Sequence, residues 1–198
     1  SLNNIKLKFI MSDEKFLKNY FQNLKTLLDN DDYLKDIIRV KDILKQTHKN
    51  GKKTMIFGNG GSAAIASHFS VDLTKNAGVR CTNYNESDLL TCFSNDFGYE
   101  RWVEKAIEFY GDEGDTLILI SAGGNSPNMT NAAKHAKTKK IKNIITFTGN
   151  DKNNKLMKLG DINFWVNSKA YNHIENIHQI LLLSLVDLII GKSEYPPN

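Results

Sequence analysis

Four short β-rich runs alternate with helical stretches along this chain, and this alternation constrains the fold more than any other feature. The runs are TMIFG (54–58), TLILIS (116–121), NIITFTG (143–149) and INFWVN (162–167). Apolar residues recur at helical spacing at about 62–75, 88–95, 100–110, 127–138 and 172–190. Strands joined through helices pair in parallel, and apolar strands need cover on both faces. The pattern therefore predicts an α/β fold, a three-layer α/β/α sandwich.

Two further amphipathic helices precede the first strand. Apolar residues recur at helical spacing over about 13–28 and 33–48, and NDD at 30–32 indicates the turn between them. We therefore expect an N-terminal helical hairpin. The opening SLNNIKLKFI precedes both helices, and we expect residues 1–11 to be an extension or a remnant of cloning. Residues 12–198 then form a single domain that includes the N-terminal helices.

The composition is typical of one soluble globular domain. The chain has 198 residues, of which 40% are hydrophobic and 24% charged, and no stretch matches the ~20 apolar residues of a membrane span. The net charge of +4 comes from dispersed lysines without an aromatic-interleaved patch, so we expect neither nucleic acid nor membrane as a partner. Cys81 and Cys92 have no metal-binding spacing and suit a reducing cytoplasm.

Two loops that follow predicted strands have the composition of anion-binding turns. GNGGS (58–62) leads from the first strand into a helix, and SAGGNSPN (121–128) does the same after the second. Glycines let the backbone approach an anion, and helix N-termini attract one. We expect Ser62 at a helix N-cap and Pro127 in a first helical turn. Neither loop has a GK[ST] or GxGxxG pattern, which disfavours a nucleotide.

Four motifs resemble those of the phosphoheptose isomerases, which are sugar isomerase (SIS) domain proteins. They are GNGGSAAIASHF, SNDFGYE (94–100), GDTLILISAGGNSPN and HIENIH (173–178), and the resemblance covers nearly the whole chain after Met11. It implies a parallel five-stranded sheet, a homotetramer with active sites between subunits, and conversion of sedoheptulose 7-phosphate to D-glycero-D-manno-heptose 7-phosphate. That product feeds lipopolysaccharide or capsule heptose.

The resemblance also implies the residues that bind substrate. Asn59, Gly60 and Gly61 are expected to contact the sugar, with Ser62 and Glu175 close to it. Asn95 and Asp96 are expected to bind substrate hydroxyls. The residues expected to bind the phosphate are Ser121, Ala122, Gly123 and Ser126. The family usually has Ser-Thr-Ser where this chain has Ser121, Ala122 and Gly123. Two hydroxyl donors are therefore absent, and we expect weaker or altered phosphate binding.

A zinc site is a further implication of the resemblance. The family's ligands are His, Glu, Gln and His, at the positions of His68, Asp72, Glu175 and Leu183. His68 and Asp72 are four residues apart and share one face of a predicted helix, so they can serve one metal. Leu183 cannot bind zinc, and it removes a residue that the family also uses as a catalytic acid/base.

Aldose–ketose isomerisation moves a proton between adjacent carbons and needs a base near the carbon. We expect Asp72, with Glu175 beside it, to supply that base. His178 lies about 140° from Leu183 around the helix and does not replace the missing acid easily, while His173 is an alternative through bending or a subunit swap. A second hypothesis is a non-catalytic SIS protein that binds a phosphosugar, or a regulator of the DnaA-binding type, which also lacks the last-helix histidine.

Overall fold

The computed structural model describes residues 2–196, with side chains described from residue 12 onward. The helices are α1 (Leu2–Leu28), α2 (Asp31–Lys49), α3 (Gly61–Lys75), α4 (Ser87–Phe97), α5 (Trp102–Tyr110), α6 (Pro127–Thr138) and α7 (Tyr171–Ile190). The strands are β1 (Thr54–Phe57), β2 (Cys81–Thr82), β3 (Thr116–Ser121), β4 (Asn143–Gly149) and β5 (Ile162–Val166). The predicted α/β class and N-terminal helical hairpin are confirmed.

The five strands form one parallel sheet in the order β2-β1-β3-β4-β5. Thr54 pairs with Thr116 of β3, and Thr116 pairs with Asn143 of β4, so these strands begin at one level. In this order the chain reverses its direction of winding between β1 and β3. Ligands of such sheets bind outside the carboxyl ends of the strands at that reversal.

Helices cover both faces of the sheet and create two apolar cores. Side chains alternate between the faces along β3, with Ile118 and Ile120 in the core beneath α2, α3 and α7. Leu117 and Leu119 point to the opposite core beneath α5 and α6. β1 and β3 are buried along their whole length, which explains their uninterrupted apolar sequences.

Helix α1 is longer than the sequence pattern predicts. It begins at Leu2, whereas the amphipathic pattern begins at about residue 13. The hairpin turn is well defined because Asn30 caps α2, its side chain accepting a hydrogen bond from the Asp32 amide at 3.1 Å. The origin of residues 1–11 and the domain limits stay predictions, and Ser1 lies outside the described residues.

Helix α7 is the one helix among the described residues that is long and apolar enough to cross a membrane by composition alone. Of its apolar window, 44% is buried within the fold. Ile174, Ile177 and Leu182 of this helix are wholly enclosed in the core with α2 and α3. Burial of this kind is what a core helix of an α/β domain requires.

Candidate active site

A cavity of about 470 Å³ lies at the carboxyl ends of β1 and β3, and we call it the sheet-edge cavity. Its walls include Asn59 and Ser62 from the first loop, Ser126 from the second, and Tyr171 from the start of α7. Helices α3, α6 and α7 all begin at this cavity, with 15, 12 and 20 residues. Because the N-terminus of a helix carries unsatisfied amides and a partial positive charge, the three together favour an anion here.

The side chain of Asn59 is held rigidly in the wall of the cavity. Its Nδ2 donates to Asn128 Oδ1 at 3.0 Å, and Asn128 Nδ2 donates back to Asn59 Oδ1 at 2.8 Å. The Tyr99 hydroxyl donates to the same Asn59 oxygen at 3.0 Å. Asn128 is itself buried, so the pair is anchored in the core. Asn59 therefore offers a substrate a fixed hydrogen-bonding group at little entropic cost.

The start of α3 differs from the prediction in one respect. The N-cap is Gly60, with φ of +53°, and Ser62 is the second residue of the helix. The prediction of Ser62 as N-cap is therefore wrong. A positive φ suits glycine, which lets the chain turn into the helix before Ser62. Ser62 is nevertheless buried at the cavity, where its side chain lines the wall.

The second loop supplies hydroxyls and amides to the same cavity. The Ser121 and Ser126 oxygens lie 3.1 Å apart. Ser126 is the N-cap of α6 and Pro127 its first residue, as predicted, yet the Ser126 hydroxyl makes no capping hydrogen bond. Within residues 2–196 the amides of Gly123, Asn125 and Ser126 donate to no protein acceptor. These donors are available to a ligand.

A neighbouring segment holds the second loop in this shape. The Leu156 amide donates to the Gly124 carbonyl at 2.9 Å, and the Lys155 amide donates to Asn125 Oδ1 at 3.1 Å. The Asn154 side chain packs directly against Gly124. The loop conformation is thus fixed by contacts that leave its cavity-facing donors free.

Glu175 brings a carboxylate to the N-terminus of α3. A Cβ on Gly61 would lie 2.9 Å from the Cδ of Glu175, so any larger residue at position 61 would displace the Glu175 carboxylate from this place. Among the described residues that line the sheet-edge cavity, Glu175 has the only charged side chain. An anion in this cavity is therefore held by amides, hydroxyls and helix dipoles, and not by lysine or arginine.

His68 and Asp72 lie on the other side of Glu175. A cavity of about 450 Å³, which we call the His68 cavity, is lined by His68, Gly61 and Glu175. Asp72 lies one helical turn further along α3, and its Oδ2 is 3.2 Å from His68 Nε2. The predicted sharing of one helix face by His68 and Asp72 is confirmed. Glu175 is common to both cavities, whereas Asp72 lines neither.

The predicted zinc ligands do not form a metal site within the part of the chain that the structure describes. No group of three histidine, cysteine, aspartate or glutamate side chains there has the geometry to hold a metal ion. Asp72 is engaged by the Nε2 of His68, and the fourth position of the set is the apolar Leu183. The side chains of one chain thus do not fit zinc.

Asn95 and Asp96 do not join the other predicted binding residues. Both are exposed on α4, and neither lines the sheet-edge cavity or the His68 cavity. Asn95 Nδ2 donates to Asp96 Oδ1 at 2.9 Å, and Cys92 lies 3.6 Å from the other carboxylate oxygen. The two residues thus lie outside both cavities of their own chain, and their role as substrate ligands stays a prediction.

The two histidines of α7 also lie outside the sheet-edge cavity. His178 is wholly buried against Phe147, and its Nε2–H donates to the Thr148 carbonyl at 3.0 Å. Burial lowers the pKa of His178 to about 4, and the hydrogen bond to Thr148 opposes that shift. His173 is buried and packs edge-on to the Tyr20 ring. Neither histidine supplies an acid to the sheet-edge cavity.

Several residues of the site carry no signal that sequence inspection detects. Tyr171, the first residue of α7, and Asn150, which follows β4, both line the cavity, but neither belongs to a glycine-rich loop. Tyr99 and Asn128 position Asn59 from segments 40 and 69 residues away. Asn128 does end the SAGGNSPN motif, but its pairing with Asn59 depends on the parallel alignment of β1 and β3. Only the folded chain brings these side chains together.

Three comparisons relate this arrangement to known proteins. Residues 19–149 match a family model described as a SIS domain. A phosphoheptose isomerase of Buchnera aphidicola is 34% identical over 183 residues, which cover 87% of this chain and 90% of that protein. The solved structure of phosphoheptose isomerase from Neisseria gonorrhoeae matches with a TM-score of 0.81 at 25% identity, over 89% of this chain and 98% of that one. A phosphoheptose isomerase from Francisella tularensis has the same fold, with a TM-score of 0.82 at 22% identity, over 92% and 98% of the two chains.

Proposed function

We propose that this chain, which belongs to the phosphoheptose isomerase family of SIS-domain proteins, converts sedoheptulose 7-phosphate to D-glycero-D-manno-heptose 7-phosphate in heptose biosynthesis. The observation that supports this proposal most strongly is one cavity that brings together three helix N-termini, three serines and one carboxylate. A sugar phosphate needs both parts of this set, because its phosphate takes hydrogen-bond donors and its isomerisation takes a base.

The phosphate is proposed to bind the second loop. Ser121 and Ser126 offer hydroxyls 3.1 Å apart, and the amides of Gly123 and Ser126, two residues that line the same cavity, donate to no acceptor in the described chain. The residue change at Ala122 removes a side-chain donor but leaves its backbone in the cavity wall. The sugar then extends toward Glu175 and the first loop, where Asn59, Gly60, Gly61 and Ser62 are proposed to contact its hydroxyls.

Glu175 is proposed as the base. In the ketose the carbonyl is at C2, so the base takes a proton from C1, the C1–C2 enediol forms, and the proton returns to C2 while a hydroxyl proton passes from O1 to O2. One carboxylate can perform both carbon transfers if it faces both atoms. Asn59 Nδ2 uses one of its two N–H groups for Asn128, and the second is a hydrogen-bond donor available to the developing oxyanion. Asp72 stays a second carboxylate predicted from the resemblance.

A homotetramer is proposed on the same resemblance. Phe16 and Phe21 of α1, with Leu34 and Ile38 of α2, are more than half exposed and would be covered by another subunit. Asn95 and Asp96 then reach a substrate only if α4 faces a neighbouring subunit's cavity. A cytoplasmic location is supported by Cys81 and Cys92, which are both free thiols.

A second candidate function is phosphosugar binding without catalysis, as in an SIS regulator of the DnaA-binding type. Two observations favour it. Leu183 stands where the resemblance implies an acid/base, and Glu175 is the only titratable carboxylate among the described residues of the sheet-edge cavity. The phosphate-binding loops serve either function equally well.

Turnover of sedoheptulose 7-phosphate by the purified protein separates the two candidates. The assay follows the aldoheptose 7-phosphate by chromatography, with added zinc and with a chelator, and the melting temperature is measured with the same sugar phosphate. The isomerase proposal expects product in the assay. Absence of product in both arms, together with a raised melting temperature, would support the binding protein instead. Product with zinc and none with chelator would show that a partner subunit completes a metal site.

A further inference from the structure

The hydroxyl of Tyr171 lies over the second loop (121–128), where the phosphate is proposed to bind. Tyr171 is the first residue of α7, and its side chain lines the sheet-edge cavity with Ser121 and Ser126. The position that a Cβ on Gly123 would occupy is 3.9 Å from the Tyr171 hydroxyl, and no other heavy atom outside residues 122–124 comes within 4 Å of it. The space above Gly123 is thus bounded on its open side by a phenol hydroxyl.

That hydroxyl is free to act on a ligand. Within the described residues it makes no hydrogen bond to the protein, in contrast to the Tyr99 hydroxyl, which is committed to Asn59 at 3.0 Å. Tyr171 is 59% exposed, so its hydroxyl is not placed there by core packing. The helix behind it is well anchored, because Ile174 and Ile177 are buried completely.

The two residues directly beneath this hydroxyl, Ala122 and Gly123, have no side-chain hydrogen-bond donor. Ala122 and Gly123 present only backbone to the cavity, and the serines at 121 and 126 lie on either side of them. A phosphate bound to those serines and to the free amide of Gly123 leaves one oxygen directed away from the loop. A tyrosine hydroxyl is a hydrogen-bond donor of the right type for that oxygen, and a hydrogen bond to a charged group is a strong one.

We propose that Tyr171 donates a hydrogen bond from its hydroxyl to the substrate phosphate above Gly123, and so determines the preference of this protein for phosphorylated sugars. This role rests on the proposed function, since it requires that the sheet-edge cavity binds a sugar phosphate. It makes Tyr171 a binding residue and not a catalytic one. It also explains why residue 123 is a glycine, because a bulky side chain there would fill the space that the phosphate oxygen needs.

The test compares Tyr171→Phe with the wild type by calorimetric titration of sedoheptulose 7-phosphate, inorganic phosphate and unphosphorylated sedoheptulose. We expect Tyr171→Phe to weaken binding of both phosphate ligands about tenfold, the scale of one hydrogen bond to a charged group. Binding of sedoheptulose should not change. The melting temperature of the free protein should not change either, because the hydroxyl has no protein partner to lose.

A control variant and a rescue variant complete the test. Tyr110→Phe removes a hydroxyl from an exposed tyrosine that lines neither cavity, and it should leave all three affinities unchanged. Tyr171→Phe combined with Gly123→Ser returns a hydroxyl to the same space, since the backbone of Gly123 has no positive φ and has room for a Cβ. We expect this pair to recover most of the lost phosphate affinity.

The outcomes separate this role from the function on which it rests. If the wild type binds sedoheptulose 7-phosphate more tightly than sedoheptulose and Tyr171→Phe binds both as the wild type does, the role of Tyr171 is overturned and the proposed function stands. If the wild type shows no preference for the phosphorylated sugar, both fail. An equal loss for sedoheptulose in Tyr171→Phe would also overturn the role, since it would place the hydroxyl on the sugar.

Discussion

The polar groups at the two ends of the sheet differ in whether they have hydrogen-bond partners within the protein. At the amino end, Asp115 is wholly buried and accepts three hydrogen bonds, from the Lys53 amide, the Lys53 ammonium and the Asp112 amide, at 2.7–3.0 Å. Thr47 and Thr116 likewise join their hydroxyls at 2.7 Å. At the carboxyl end, the free amides of Gly123 and Ser126 have no protein acceptor within the described chain.

This difference distinguishes polar groups that hold the fold from those kept for a ligand. Burial of Lys53 tends to lower its pKa, but its hydrogen bonds to Asp112 and Asp115 outweigh that effect and raise the pKa, so the lysine stays charged. The amino end is thus closed by its own ion pairs. At the carboxyl end, contacts behind the loops hold the hydrogen-bond donors in place, and a bound substrate supplies the acceptors for these donors.

The largest expected effect falls on the amino end. Asp115→Ala should lower the free energy of unfolding by about 3–5 kcal/mol, because it leaves two amides without an acceptor and removes the buried one of the two carboxylates that pair with Lys53. Urea denaturation measures the loss. Asp112→Ala is the matched control, since it removes the exposed partner of the same lysine and should cost below about 1 kcal/mol. Equal losses would remove the contrast between a closed end and an open one.

His178 lies near the carboxyl end of the sheet, yet it is a polar group that stabilises the fold and is not available to a ligand. It is buried under the carboxyl end of β4, yet it bonds the Thr148 backbone and lines no part of the sheet-edge cavity. Its folded pKa of about 4 lies below the ordinary 6.5, so the unfolded chain binds the proton more readily. Stability from this residue is complete above pH 6.5 and is lost as the pH falls toward 4.

The measurement for His178 is urea denaturation at pH 7 and pH 5. Its contribution should fall by about 2 kcal/mol between these values, which follows from the two pKa values and 1.36 kcal/mol per pKa unit. His178→Gln keeps an N–H donor for Thr148 but cannot take up a proton. We expect a flatter pH dependence for that variant than for the wild type, and parallel curves would contradict the buried neutral state.

A smaller effect should separate binding from stability at the carboxyl end. Ser126→Ala should weaken binding of sedoheptulose 7-phosphate about tenfold, through loss of one donor to a charged group. The melting temperature should fall little, because the hydroxyl makes no capping bond to α6 and its one partner in the described chain is the Ser121 hydroxyl. Thr138→Ala, at the opposite end of the same helix, should leave binding unchanged. A large loss of stability in Ser126→Ala would assign this hydroxyl to the fold.

Much of the fold follows from local sequence pattern. TLILIS and NIITFTG coincide with β3 and β4, and Pro127 begins α6, because apolar runs and turn residues act locally. The residue pattern does not reveal β2, because Cys81–Thr82 is too short to form a run. The sequence pattern predicts only the other four strands, and the presence of a fifth strand in the sheet is predicted only by the family resemblance. The start of α3 was misplaced because Gly60, with its positive φ, replaces a side-chain cap.

The sequence predicts the site only where a single loop contains the glycines and polar residues that bind an anion. The two glycine-rich loops were predicted and do meet at one cavity. The placement of Asn95 and Asp96 away from it depends on how α4 packs, which no local pattern encodes. Tyr171 was missed for the same reason, since its hydroxyl reaches Gly123 only after α7 folds back across the sheet.

The most direct test of the central claim compares two carboxylates in the turnover of sedoheptulose 7-phosphate. Glu175 lines the sheet-edge cavity, whereas Asp72 contacts His68 and lines neither cavity. We predict that Glu175→Gln lowers kcat about 10³-fold while the protein still binds the sugar phosphate, and that Asp72→Asn lowers it less than about tenfold. The reverse order, with activity lost in Asp72→Asn and retained in Glu175→Gln, would contradict the account and place the chemistry at the His68 side of α3.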